Sequence, residues 1–260
     1  MQTRITLPVA LTIAGSDSGG EAGIQADLRT FAALGVHGAS AITCVTAQNR
    51  NRVARIHACQ PAMVQAQLEA VAGSLPLAAI KTGMLYSAAI VGEVAAFCKR
   101  ARSLPLVVDP VMVSTSGRRL LQAGGLARLR RDLLPLAALV TPNVAEAEIL
   151  TGEKIATVQD LRAAAAALYR RFGCAALVKG GHLAGTSEAV DFLYSGRGEW
   201  MLAAPRVRRS GLHGTGCVYS AAITAWLARG RPLEQAVELA KNHITGVIAN
   251  PRLAIGGAWF

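Results

Sequence analysis

Runs of four to eight apolar residues alternate along the chain with longer segments whose apolar positions recur at helical spacing. This alternation predicts βαβ units around a mostly parallel sheet, an α/β fold with helices flanking a central sheet. Strands are expected at 7–14, 41–46, 53–58, 78–81, 106–109, 138–141 and 175–179. Helices are expected at 22–34, stopped by Gly35, and after Pro61, which suits a first helical turn. Ser87 is placed to cap a helix running to about residue 102, and a further helix covers about 125–134. Asn143, with Glu146 three residues on, forms a capping-box pattern before a short helix. Thr157 caps an Ala-rich helix that reaches residue 172 and closes at Gly173. Residues 190–194 and 200–203, separated by S-G-R-G, read as an antiparallel hairpin at the sheet edge. Helices at 217–229 and 233–249 complete the pattern.

The expected parallel strands end in G-S-D at 15–17, T-G at 82–83, Asp109, Asn143 and K-G-G at 179–181. Open α/β sheets bind ligands at the carboxyl ends of their strands. Five ends carrying glycine or a polar group on one rim therefore place a binding site along it.

Composition narrows the class. A chain of 260 residues that is 52% hydrophobic can bury a large core, and without an evident linker it reads as one domain over 1–260. The run 7–14 is short and ends in G-S-D rather than at a small-residue cleavage site, so it is expected to be a buried strand instead of a secretory signal. No stretch approaches the roughly 18 apolar residues of a membrane span, so a cytoplasmic protein without membrane contact is expected. The five cysteines form no C-x-x-C pair, which argues for free thiols over disulfides or a zinc site. The net charge of +11 is carried by arginines dispersed along helices with few aromatics between them. That distribution suits a solvated surface, with attraction of an anionic substrate, better than nucleic-acid binding.

Candidate chemistry concentrates in G-L-H-G-T-G-C at 211–217, directly before an apolar-periodic segment. Such a loop can present successive N–H groups to a phosphate at a helix N-terminus, or can simply be a tight turn. Cys217 falls in the first turn of that helix, where a thiol pKa is lowered; the alternative is a buried, inert cysteine. Asp109, Asn143 and Glu146 at neighbouring strand ends suit a hydrated magnesium ion, although a cap and its capping-box partner account for the last two without metal. Lys179 closes an apolar run, where a charge is costly unless it meets an anion; it is either a phosphate clamp or a lysine reaching to solvent. P-loop, dinucleotide, zincin and nucleophile-elbow motifs are missing from the sequence.

Taken together, A-G-S-D-S-G-G-E-A-G-I-Q-A-D at 14–27, T-A-Q-N at 46–49, K-T-G-M-L at 81–85, V-D-P-V-M at 108–112, T-P-N-V-A-E-A at 141–147, V-K-G-G-H-L at 178–183 and H-G-T-G-C at 213–217 resemble the hydroxymethylpyrimidine and phosphomethylpyrimidine kinases of thiamine biosynthesis. The resemblance runs in order from about residue 10 to about residue 250. It implies a ribokinase-like three-layer fold and a kinase that uses ATP and Mg²⁺. Such a kinase phosphorylates 4-amino-5-hydroxymethyl-2-methylpyrimidine, then its monophosphate. A pyridoxal or dual-specificity kinase, and a non-catalytic pyrimidine-binding module, are the competing readings.

By motif position the resemblance places Gly15, Asp27, Gln48, Met84 and Val111 around the pyrimidine, where the Gln48 amide offers both a donor and an acceptor. It makes Cys217 the base of the first step, with Gly214, Gly216 and Lys179 stabilising the transferring phosphoryl group. Asn143, Lys179, His213, Thr215 and Lys241 fall at the nucleotide, Asp109 and Glu146 at the metal. A homodimer through the edge hairpin is implied as well. The sequence departs from the family at Glu21, where glycine is usual and where a carboxylate faces an incoming phosphomonoester.

Overall fold

The computed structural model describes residues 7–49, 51–114, 117–181, 183, 187–207 and 214–250. Nine strands form one sheet: β1 (Val9–Asp17), β2 (His37–Asn49), β3 (Arg52–Ala58), β4 (Leu77–Thr82), β5 (Leu106–Val108), β6 (Leu139–Val140), β7 (Ala175–Lys179), β8 (Glu188–Tyr194) and β9 (Glu199–Pro205). Their order across the sheet is β3-β2-β1-β4-β5-β6-β7-β8-β9. The pairs from β2 through β7 are parallel. The expected hairpin β8–β9 lies at one edge, and β7–β8 is antiparallel too.

A second antiparallel hairpin, β2–β3, closes the opposite edge. Both strands are longer than the hydrophobic pattern indicates, because β2 continues past the core through the half-exposed Gln48 to Asn49. An alternating, partly solvated ribbon carries a weaker apolar signal than a core strand.

Helices α1 (Gly23–Ala33), α7 (Thr215–Ala228) and α8 (Leu233–Ala249) cover one face. The other is covered by α2 (Pro61–Ser74), α3 (Ala88–Arg100), α4 (Ala123–Arg128), α5 (Val144–Thr151) and α6 (Val158–Phe172). Alternate residues of one strand enter opposite layers: Val107, Leu139 and Leu177 pack under α7 and α8, whereas Val108, Val140 and Val178 pack on the other face. The Ser87 cap forms, its side chain accepting from Ile90 N. Both capping boxes form too, at Asn143 with Glu146 and at Thr157 with Asp160. The helix expected at 125–134 is split. α4 ends at Arg128, a wider π turn spans Leu129–Leu133, and a 3₁₀ turn follows in which Pro135 has no N–H to continue the helix.

β2 lies on one side of β1 and β4 on the other, so chain direction around the sheet reverses at the β1/β4 junction, the crevice where open α/β sheets bind ligands. The ends of β1, β4, β5, β6 and β7 share that rim.

Candidate active site

Strand alternation decides which rim side chains meet. Asp109 and Lys179 lie two residues beyond Val107 and Leu177 and so project toward the α7 face. Lys179 Nζ donates to Asp109 Oδ1 at 3.0 Å, with the side chains 13% and 4% exposed. Thr141 Oγ1 donates to the same oxygen at 3.3 Å, and Ser220 Oγ to Oδ2 at 3.2 Å.

The first turn of α7 closes on this pair. A Cβ on Gly216 would lie 3.3 Å from Lys179 Nζ and 4.0 Å from Asp109 Oδ2. Gly214, the N-cap residue, has φ 77°, and a Cβ there would collide with the carbonyl oxygen of Glu21. Glycine at both positions lets the α7 entry sit between the 19–22 loop and the lysine, where a helix N-terminus can present N–H groups to an anion.

Cys217 follows, half-buried, with the Gly23 N–H at the start of α1 directed at its sulfur. The expectation of a lowered thiol pKa is corrected: burial pushes it up to about 11, Lys81 opposes that, and Asp27 and Asp109 add to it. Desolvation of the thiolate outweighs the helix end.

Glu146 Oε2 accepts from Asn143 N at 2.9 Å, and Asn143 Oδ1 accepts from Glu146 N at 3.0 Å. Burial pushes the Glu146 carboxyl up to about 7; Lys179 pulls it down, the Asp109 charge adds to the rise, and N–H groups of Asn143 and Met112 hold it down. No group of three or more metal-ligating side chains occurs among the described residues. Magnesium needs just one or two carboxylates when phosphates and waters complete its shell, and the Asp109–Glu146 pair fits that requirement.

At the β1/β4 end, a Cβ on Gly15 would lie 2.8 Å from Cys44 Sγ and 3.5 Å from Met84 Sδ. Met84 belongs to a small apolar cluster with Cys44, Val53 and Leu120, against which Val111, Ile56 and Tyr86 pack. Gly15, Met84 and Val111 are thus brought together. Gln48 sits beside them on β2, its backbone N–H and C=O both engaged by Ser18 Oγ at 2.9 Å.

Asp27 is tied to the strands behind that wall. It is fully buried, with Oδ1 accepting from Lys81 Nζ and Oδ2 from Thr12 Oγ1, both at 2.6 Å. Lys241 is likewise engaged: its Nζ donates to Asp191 Oδ2 at 2.7 Å and to the Ala189 carbonyl at 2.9 Å. Asp191 Oδ1 in turn accepts from Gly180 N at 3.0 Å. Lys241 therefore reaches the site through the Gly180 backbone beside Lys179, and not as an open cation. Thr215 is the first residue of α7, and His213 lies outside the described residues.

Lys81, Thr12, Asp191 and Ser220 escape a reading of the sequence. Lys81 carries the same signal as Lys179, a charge closing an apolar run, and Asp191 interrupts another such run. Ser220 and Thr12 carry none, because a hydroxyl in a core element is unremarkable until its partner is known.

The family model for phosphomethylpyrimidine kinase matches residues 17–258. The chain is 49% identical over 254 residues to the hydroxymethylpyrimidine/phosphomethylpyrimidine kinase of Rhizobium meliloti, covering 95% of this chain and 93% of that one. It is 46% identical over 238 residues to the thiamine biosynthesis bifunctional protein of Geobacter sulfurreducens. That match covers 92% of this chain and 48% of the relative, so the chain spans about half of the longer protein. The phosphomethylpyrimidine kinase structure from Clostridium difficile 630 superposes with a TM-score of 0.82 at 41% identity, covering 92% and 99% of the two chains. The Staphylococcus aureus pyridoxal kinase in complex with AMP-PCP and pyridoxal gives 0.86 at 33%, covering 94% and 88%.

Proposed function

Since the chain belongs to the phosphomethylpyrimidine kinase family, we propose that it phosphorylates 4-amino-5-hydroxymethyl-2-methylpyrimidine from ATP and then converts the monophosphate to the diphosphate, within one ribokinase-like domain. The chain is a phosphotransferase, and its fold is the ribokinase-like one. The observation that carries the reading is the meeting of Lys179 and Asp109 beneath Gly216 at the open N-terminus of α7. A lysine with backbone N–H groups is what a transferring phosphoryl group requires.

In this reading the pyrimidine lies between Gly15, Met84 and Val111, with Gln48 at its edge. Its hydroxymethyl group points to Cys217, whose thiolate takes the hydroxyl proton. The N–H groups of 214–217 and Lys179 hold the phosphoryl oxygens, and Asn143, His213 and Thr215 border the nucleotide. Lys241 steadies the Gly180 backbone. Asp109 and Glu146 would hold Mg²⁺, which neutralises phosphate charge when bound. A cytoplasmic homodimer completes the proposal.

The test is ADP formation with the hydroxymethylpyrimidine, its monophosphate and pyridoxal, supplied one at a time. Turnover of both pyrimidines, at kcat/KM well above that for pyridoxal, is expected. Preference for pyridoxal would transfer the chain to the pyridoxal kinases, and no turnover would leave a binding module.

A further inference from the structure

The ladder between β2 and β3 slips by one residue beside Gln48. Thr46 pairs with Ile56 and Ala47 with Arg55, but Gln48 pairs with Val53, which makes Ala54 the extra residue of a β-bulge. A bulge bends its strand and resets which side chains face inward beyond it. Burial along β3 records this: Ile56 is half-buried, Arg55 and Ala54 are exposed, and Val53 is buried. Plain alternation from Ile56 would turn Ala54 inward; the bulge turns Val53 inward instead. Val53 thereby joins Cys44, Met84 and Leu120 in the cluster beside Gly15. As the direct cross-strand partner of Gln48 it also shares that residue's face of the ribbon.

The bulge is held from a distant segment. Arg118 Nη1 donates to the carbonyls of both Val53 and Ala54, the second at 2.8 Å. Hydrogen bonds from a guanidinium are stronger than neutral ones, and the strand they grip lies at the sheet edge. Arg118 sits where the chain beyond β5 turns back on itself: Ser114 N donates to the Arg118 carbonyl at 2.8 Å, Arg118 N to Ser114 Oγ at 3.0 Å, and Val113 bridges Arg119. The same segment brings Val111 and Leu120 to the cluster. One guanidinium therefore joins the strand that carries the partner of Gln48 to the segment that carries Val111.

We propose that Arg118 is a positioning residue for the pyrimidine pocket: by pinning the β3 bulge it fixes the Gln48–Val53 pair and with it the aim of the Gln48 amide. This rests on the reading that places Gln48 at the edge of the pyrimidine.

The test uses Arg118→Met, which keeps the apolar stem and removes the donors, and Arg118→Lys, which keeps one charged donor. Each is made alone and with Gln48→Ala. Hydrogen exchange over residues 46–58 reads the clamp without substrate, and thermal unfolding reports the fold. Arg118→Met is expected to speed exchange in that ribbon and to raise KM for the hydroxymethylpyrimidine about three- to tenfold with kcat held, the size of one or two charge-assisted bonds partly replaced by water. Arg118→Lys should recover part of both effects. In the Gln48→Ala background Arg118→Met should raise KM no further, because its effect passes through the missing amide. Unchanged exchange in folded Arg118→Met overturns the proposal. Faster exchange with KM unchanged, or with the same rise in both backgrounds, overturns it too, since the clamp then does not act through Gln48. Faster exchange in a protein whose wild type turns over no pyrimidine overturns the substrate reading, and with it the role of the clamp in binding.

Discussion

Lys179 Nζ meets Asp109 Oδ1 at 3.0 Å across a separation of 70 residues, at the ends of two strands with β6 between them. The lysine has two tasks here: it balances a buried carboxylate, and it stands 3.3 Å from where a Gly216 Cβ would be, at the anion-facing turn of α7. Lys179→Ala is expected to lower kcat for both phosphorylations by on the order of 100-fold, the usual cost of losing one preorganised charge stabiliser. It should also lower the melting temperature, because Asp109 is left buried and unpaired. Steady-state kinetics on both substrates, with thermal unfolding, checks this. Sparing of either step would mean that Lys179 does not touch the transferring group.

Cys217→Ala separates the two steps. A hydroxymethyl group has a proton to lose, whereas the phosphate oxygen of the monophosphate is already a nucleophile, so the base matters for the first reaction alone. The first step should fall by about 10²-fold or more, the common size of general-base catalysis, and the second by far less. The pH dependence has a definite sign. With the thiol pushed up to about 11, the thiolate fraction rises about tenfold per pH unit below that value, so first-step kcat/KM should climb with pH while the second step does not follow. Rate profiles on the two substrates decide it, and equal losses or parallel profiles would count against the base.

Two glycines with similar backbone angles give an internal control. Gly214 has φ 77° and its Cβ would strike the Glu21 carbonyl, whereas Gly152 at the end of α5 has φ 86° with open space around it. Gly152→Ala should cost about 1 kcal/mol, the penalty of the left-handed region, and leave turnover unchanged. Gly214→Ala adds a backbone collision that displaces the α7 entry, and kcat should drop by about 10²-fold. Urea unfolding and ADP release, measured on both variants, test the contrast.

The sequence made the rim legible because its signals are local: Asp109 before Pro110, the Asn143/Glu146 capping box and the H-G-T-G-C turn each mark a strand end without reference to the rest of the chain. Strand alternation then brings Asp109 and Lys179 to one face. What stayed hidden depends on partners far apart in sequence. Asp27 reads as a pocket residue from its motif, while its bonds to Lys81 and Thr12 are visible only in the fold. Lys241 reads as a phosphate cation until Asp191 is found against it. The thiol pKa is not legible in the sequence, because a helix N-terminus is visible there while the desolvation opposing it is not.

Glu21 tests how the site treats a substrate that is already charged. Its backbone is anchored on both sides: Glu21 N donates to Asp17 Oδ2 at 3.0 Å and its carbonyl lies against Gly214. Arg29, which feels the charges of both Asp17 and Glu21, offsets part of the negative field. On the proposed function, what remains would repel the monophosphate and not the neutral alcohol. Glu21→Gln should lower KM for the monophosphate about two- to fivefold, as expected for one screened charge near the surface, with KM for the hydroxymethylpyrimidine unchanged. Glu21→Gly should do the same if charge and not loop stiffness is responsible. High salt should shrink the difference between wild type and variant, because screening already removes what the substitution removes. A salt-independent change, or one shared by both substrates, would place the effect of Glu21 in the loop geometry that supports Gly214.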